Sequence, residues 1–147
     1  MTVIDASVAI KWFLPKAESS AARDLLVTLA GAIIVPDMFL IEVTGALVRQ
    51  ANMTKSERQT MERHIERLSD LFTHESLRAE RLDHNQTAQA ATMAIDLGHP
   101  LKDCIYLALA MELGCPLITA DAKFAAKARA VYGDVRVLGR EGRKIAT

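Results

Sequence analysis

The sequence is short of several things, and each shortage narrows what the chain can be. No run approaches the roughly 20 consecutive apolar residues that a membrane-spanning helix needs. Apolar stretches such as 32–35 and 38–41 are short and are separated by Pro36 and Asp37. Excess charge is missing, with 18 Lys and Arg against 18 Asp and Glu. That balance excludes a protein that coats a polyanion by bulk electrostatics, while leaving room for a few local cations to grip phosphates. Only two cysteines are present, Cys104 and Cys115, eleven positions apart. They flank one predicted helix, whose rise separates them by about 16 Å, beyond the ~7 Å that a disulfide allows between Cα atoms. Both are expected to be reduced core residues. The four histidines, His64, His74, His84 and His99, contain no pair at i, i+4 that would suit a metal. They are expected to be structural or surface residues, with His99 noted only because it lies four positions before Asp103. Repeats and low-complexity tracts are absent. The opening MTVIDAS has no basic region and carries an acid at position 5, unlike a signal peptide, so the chain is expected to be cytoplasmic.

What is present reads as one ordinary globular domain. A chain of 147 residues, half of them apolar, can bury roughly 70% of its unfolded surface without disulfides or a structural metal. Short apolar runs alternate with long amphipathic ones. Residues 2–4 form a brief strand, 7–14 a short helix stopped by Pro15, and 18–29 a second helix with apolar residues in helical period. Residues 32–35 are a buried strand closed by Pro36. Asp37 is placed to cap a helix to about Asn52, and Thr54 or Ser56 opens another to about Leu71. Residues 72–76 are expected to be a short strand and 77–97 mostly helical, ending at Gly98. A helix over 101–113 ends at Gly114, a strand occupies 116–119, a helix 122–131 and a last strand 135–137. The expected organisation is a domain over 1–138 followed by a loose basic tail, 139–147, with Arg140, Arg143 and Lys144. Strands alternating with helices imply an α/β sandwich, a parallel sheet covered by helices on both faces.

In such sheets ligands bind beyond the carboxyl ends of the strands. Asp5 directly follows the first strand and Asp121 follows the 116–119 strand, so two acids stand where a site belongs. Either one also suits a helix cap. Glu42 is mid-helix among Met38, Phe39, Gly45 and Ala46, neighbours that would desolvate a carboxylate at a cost unless it is paired or bound to metal. A nearby Arg or Lys is the alternative partner. Asp103 leads an almost wholly apolar helix, with a favourable dipole interaction as its simpler explanation. Four acids drawn together would repel, by about 4 kcal/mol for two carboxylates ~4 Å apart at an effective dielectric of ~20. A cluster of oxygen ligands favours a hard cation, Mg²⁺ or Mn²⁺. The hydroxyls of Ser7 and Thr119, each two residues from an acid, suit either second-layer hydrogen bonds to the ligands or capping. Lys11, Lys102 and Lys123 each lie near one of these acids and are read as phosphate contacts or simply as solvated lysines. Trp12 and Phe13 are expected in the core or in a partner groove.

These residues stand in recognisable motifs. VIDASVAIKWFLP resembles the opening of VapC-type PIN-domain proteins, and PDMFLIEVTGAL resembles their second motif. LKDCIYLALAMELGCPLITADAKF resembles the third and fourth, an acid leading an apolar Tyr-containing helix and then a strand ending Thr-x-Asp. The motifs come in the family's order and span nearly the full chain. The resemblance implies an acidic metal site made of Asp5, Glu42, Asp103 and Asp121. It implies a Mg²⁺-dependent (or Mn²⁺-dependent) ribonuclease giving 5′-phosphate and 3′-hydroxyl products. It also implies the toxin role of a toxin–antitoxin pair, a cognate antitoxin and a homodimer. The region 54–96 carries no diagnostic motif. Two rivals stay open on the residues alone. A Mg²⁺-dependent phosphatase with an Asp nucleophile would want a second acid where Ser7 stands. A non-catalytic interaction module would use the acids only as caps and ion-pair partners.

Overall fold

The computed structural model describes residues 1–139, and the expected basic tail from Arg140 onward lies outside them. Among the described residues five strands form one sheet in the order β3-β2-β1-β4-β5, every pairing parallel. The elements are β1 (Thr2–Ile4), α1 (Ala6–Phe13), α2 (Ser19–Leu29), β2 (Ile33–Pro36), α3 (Met38–Met53), α4 (Arg58–Thr73), β3 (Leu77–Glu80), α5 (His84–Leu97), α6 (Leu101–Leu113), β4 (Leu117–Thr119), α7 (Ala122–Ala128) and β5 (Val135–Val137). A single 3₁₀ turn, Lys55–Glu57, precedes α4. The expected parallel α/β sandwich is the one observed. Consecutive side chains of a strand point to opposite faces, and Thr2, Val3 and Ile4 are all buried, so the central strand is covered on both sides. No described helix is long and apolar enough to cross a membrane. Cys104 and Cys115 are free and buried, and Trp12 and Phe13 sit in the core, the Trp12 indole donating to Ala22 O at 2.9 Å.

The strand order reverses between β1 and β4. The chain moves outward through β2 and β3 on one side, then returns to lay β4 and β5 on the other. Such a switch point leaves a crevice at the carboxyl ends of the two central strands. Here those ends carry Asp5 and the Thr119–Asp121 segment.

The middle of the chain departs from the sequence reading. Residues 72–76 are not a strand: α4 runs to Thr73, and the strand is Leu77–Glu80, which the sequence reading places inside a helix. LRAE consists of good helix formers, but here all four residues pair with β2, Ile33 with Leu77 through Pro36 with Glu80. Tertiary pairing overrides local propensity. A tight cap makes the change of direction: Glu75 N donates to Phe72 O at 3.0 Å and Ser76 N to Leu71 O at 2.8 Å, with Glu75 left-handed at φ 61°. This is a Schellman closure with the wrong residue at its left-handed position. Gly98 and Gly114 make the same closure at the ends of α5 and α6 without that strain. Glu75→Gly is therefore expected to stabilise the protein by about 0.5–1 kcal/mol, since a left-handed non-glycine residue costs about 1–2 kcal/mol and glycine returns part of the gain as unfolded-state entropy. Urea unfolding measures it, and a lower midpoint for the glycine variant would refute it.

Asp37 also departs from expectation. It sits at the start of α3 in helical conformation and its side chain caps nothing. Its backbone N–H donates instead to Glu80 O at 2.9 Å, tying β2 to β3 at the carboxyl edge of the sheet.

Candidate metal centre

Asp5 leaves β1 with its N–H still donating to Ile118 O at 2.9 Å, so the first and fourth strand ends are tied together. It occupies the N-cap position of α1, yet its carboxylate makes no cap. Its Oδ2 instead accepts two hydroxyls, Ser7 Oγ at 2.7 Å and Thr119 Oγ1 at 2.8 Å. Those hydroxyls are held in turn, Ser7 Oγ accepting from Ala120 N at 3.0 Å and Thr119 Oγ1 from Asp121 N at 3.1 Å. Asp5 is only 4% exposed. Burial pushes its carboxyl up from 3.8 to about 6. The two hydroxyl bonds oppose this, and the charges of Asp103 and Glu42 add to it.

Glu42 lies one turn into α3, which leaves the end of β2. Its Oε1 accepts the phenol of Tyr106 at 2.7 Å, and its Oε2 faces Lys102 Nζ at 3.4 Å. The side chain is 16% exposed, the lysine 60%. Of the partners that sequence reasoning weighs for Glu42, the lysine is present at the rim, and a phenol it did not weigh holds the inner oxygen. Tyr106 is wholly buried. Burial, then the Glu42 charge, drives its ionisation far above the ordinary range, so it is a permanent donor.

Asp103 is in the first turn of α6. Its Oδ2 lies 2.6 Å from His99 Nε2. Asp121 does cap α7, its Oδ1 accepting from Phe124 N at 3.0 Å. Ligand atoms of His99, Asp103 and Asp121 all lie within 4.8 Å of one another. Asp5 and Glu42 are not members of that tight trio. They meet it through charge, since Asp103 and Glu42 both act on Asp5, and Glu42, Asp5 and Asp103 all act on Tyr106.

A common pattern runs through the four acids. Each has one oxygen held by a hydroxyl, a phenol, an imidazole or a backbone N–H. Neutral donors of this kind fix the orientation of a carboxylate without cancelling its charge. Among the described ion pairs only the exposed Lys102 and, if protonated, His99 bring positive charge to these groups. An acidic, oxygen-rich, pre-oriented donor set fits a hard divalent cation.

Sequence reasoning underrates two residues. His99 is not a surface residue: it is 10% exposed and lies against Asp103. A test for His–His spacing passes over a His–Asp pair at i, i+4, which is the signal that was there. Tyr106 reads in the sequence as one more apolar neighbour in a core helix, and nothing local marks its hydroxyl. Among the lysines, Lys11 Nζ donates to Ala17 O at 2.7 Å.

A family model described as PIN domain matches residues 2–130. No curated protein matches the sequence. Solved structures of similar fold include PAE2754 from Pyrobaculum aerophilum, 19% identical, covering 99% of this chain and 96% of that one with a TM-score of 0.69. A toxin–antitoxin complex from Klebsiella pneumoniae is 18% identical over 92% of this chain and 95% of that one, TM-score 0.64. VapC20 from Mycobacterium tuberculosis, a Sarcin-Ricin loop cleaving toxin, is 18% identical over 86% of this chain and 94% of that one, TM-score 0.66.

Proposed function

This chain belongs to the PIN domain family, and from that premise we propose that it is a Mg²⁺- or Mn²⁺-dependent endoribonuclease, the toxin of a toxin–antitoxin pair. The observation that carries the reading is the set of four acids, each with one oxygen held in place, at the carboxyl ends of the central strands. Asp5 and Asp103 are the direct ligands. Asp121 completes the set, and Glu42 acts through water or orients the nucleophile. A divalent ion bound there would lower the pKa of a coordinated water and offset charge on the scissile phosphate. Ser7 and Thr119 hold Oδ2 of Asp5, and Tyr106 holds Oε1 of Glu42. Lys102, mostly exposed beside Glu42, is placed to meet a phosphate at the rim. The fold shared with a chain of a toxin–antitoxin complex and with a Sarcin-Ricin loop cleaving toxin supports RNA as substrate and an antitoxin as partner. A homodimer acting in the cytoplasm completes the proposal.

The phosphatase reading lacks its second acid, because Ser7 is committed to Asp5 and Ala120 N. The interaction-module reading explains the cap made by Asp121 and the Lys102–Glu42 pair. It leaves the buried Asp5 carboxylate without a cation. The test is cleavage of single-stranded RNA with Mg²⁺, with Mn²⁺ and with EDTA, beside a phosphomonoester control. Metal-dependent RNA cleavage is expected, lost in a folded Asp103→Ala protein. Equal activity of that variant, or turnover of the monoester alone, would refute the assignment.

A further inference from the structure

We infer that His99 is a positioning residue, which holds Oδ2 of Asp103 so that the other carboxylate oxygen is presented to the cation. This rests on the metal-dependent reading above. Three features fix the imidazole. Its backbone belongs to the closure of α5, with His99 N donating to Ala94 O at 3.0 Å and the left-handed Gly98 just before it. Pro100 then opens α6 at once, so the connection between two helices has almost no freedom. The ring itself stacks on Phe124, centroids 4.7 Å apart and planes 29° from parallel. Phe124 is fully buried in the core. A ring clamped in this way directs Nε2 at one oxygen, and the 2.6 Å separation is that of a strong, charge-assisted hydrogen bond.

The arrangement repeats what Ser7 and Thr119 do for Asp5. In each case one oxygen is engaged by a donor from a neighbouring element, and the second carries no described hydrogen bond. Outer partners that orient a ligand typically govern 10–100-fold of metal affinity. His99 also lies within 4.8 Å of the Asp121 ligand atom, so direct coordination by Nε2 is the competing role. The two differ in what a replacement must supply. Positioning needs only a donor at the place of Nε2, whereas coordination needs an imidazole lone pair. Glutamine carries its amide nitrogen the same number of bonds from Cα as histidine carries Nε2. Asparagine is one bond too short.

The experiment measures Mn²⁺ binding by electron paramagnetic resonance of the free ion, for the unsubstituted full chain and for H99Q and H99N. Neither variant can stack a ring on Phe124, so a difference between them reports the donor and not the packing. H99N is expected to weaken Mn²⁺ binding by about 10–100-fold, and H99Q to restore most of the loss. At saturating Mn²⁺ the KM for RNA is expected to be unchanged in both. Equal binding by H99Q and H99N, or binding by H99N as tight as that of the unsubstituted protein, would overturn the positioning role. If the unsubstituted protein binds and cleaves normally in that case, only the role of His99 falls. If it shows no saturable Mn²⁺ binding at all, both the role and the metal-dependent reading fall.

Discussion

Asp5→Asn is expected to lose about a thousandfold in RNA cleavage while making the metal-free protein more stable at neutral pH. Both effects come from the same burial. A carboxylate that is 4% exposed has its ionisation pushed up to about 6, chiefly by desolvation. Because the folded value lies above the ordinary 3.8, the folded state holds a proton between about pH 4 and pH 6 that the unfolded state has released. Stability falls wherever the folded state binds more protons as pH rises. The loss therefore accumulates from about pH 4 to about pH 6 and stays in force above, at on the order of 3 kcal/mol. Asparagine is nearly isosteric, can still meet the hydroxyls of Ser7 and Thr119, and carries no charge to desolvate. In EDTA the difference in urea-unfolding free energy between the two proteins should grow across that window in favour of Asp5→Asn, then level off. Mn²⁺ should reverse the order by stabilising the unsubstituted protein alone. The catalytic loss follows because several kcal/mol of charge stabilisation at the phosphate depends on the ligand. An Asp5→Asn protein less stable than the unsubstituted one at pH 8 in EDTA would show that the carboxylate is compensated by something other than a cation.

Tyr106 separates packing from chemistry. Tyr106→Ala is expected to cost about 3–5 kcal/mol, because a fully buried aromatic side chain leaves a cavity that the sheet and helices around it cannot close. Tyr106→Phe keeps the ring and removes one hydroxyl. It leaves Glu42 Oε1 without its donor. A hydrogen bond to a charged group is worth about 1.5–3 kcal/mol, and partial exposure of Glu42 lets water recover some of it, so about 1 kcal/mol is expected. Cleavage should fall about tenfold in the phenylalanine variant, in line with the effect of losing one outer partner of a ligand. Denaturant unfolding and a cleavage time course check the two halves. A Phe variant with full activity would remove the Tyr106–Glu42 pair from the site.

Local physics made much of this protein legible without coordinates. The strands over 2–4 and 135–137, the helix over 101–113 and the stops at Gly98 and Gly114 follow from periodicity and glycine's tolerance of left-handed backbone, and all are observed. Strand–helix alternation dictated a parallel sheet, and the sheet dictated where a site must open. The acids stood out because Glu42 and Asp103 sit in apolar helices where a carboxylate is costly. What failed was also physical. The Leu77–Glu80 strand is built from helix formers and exists because β2 offers it a partner, a contact that propensity cannot see.

Only the tertiary structure decided how the acids are held. The hydroxyl of Thr119 reaches Asp5 across 114 positions, and the phenol of Tyr106 reaches Glu42 across 64. Which oxygen of each carboxylate is engaged depends on ångström-scale closure of those long loops. His99 needed the structure for another reason: its spacing from Asp103 was visible, but not the ring of Phe124 that clamps it. Residue types and order therefore fixed the fold class and singled out the acids as candidates, because periodicity and desolvation act along the chain. The orientation of their oxygens came from packing between elements, because hydrogen bonds at 2.6–2.8 Å require the whole sheet to be in register first.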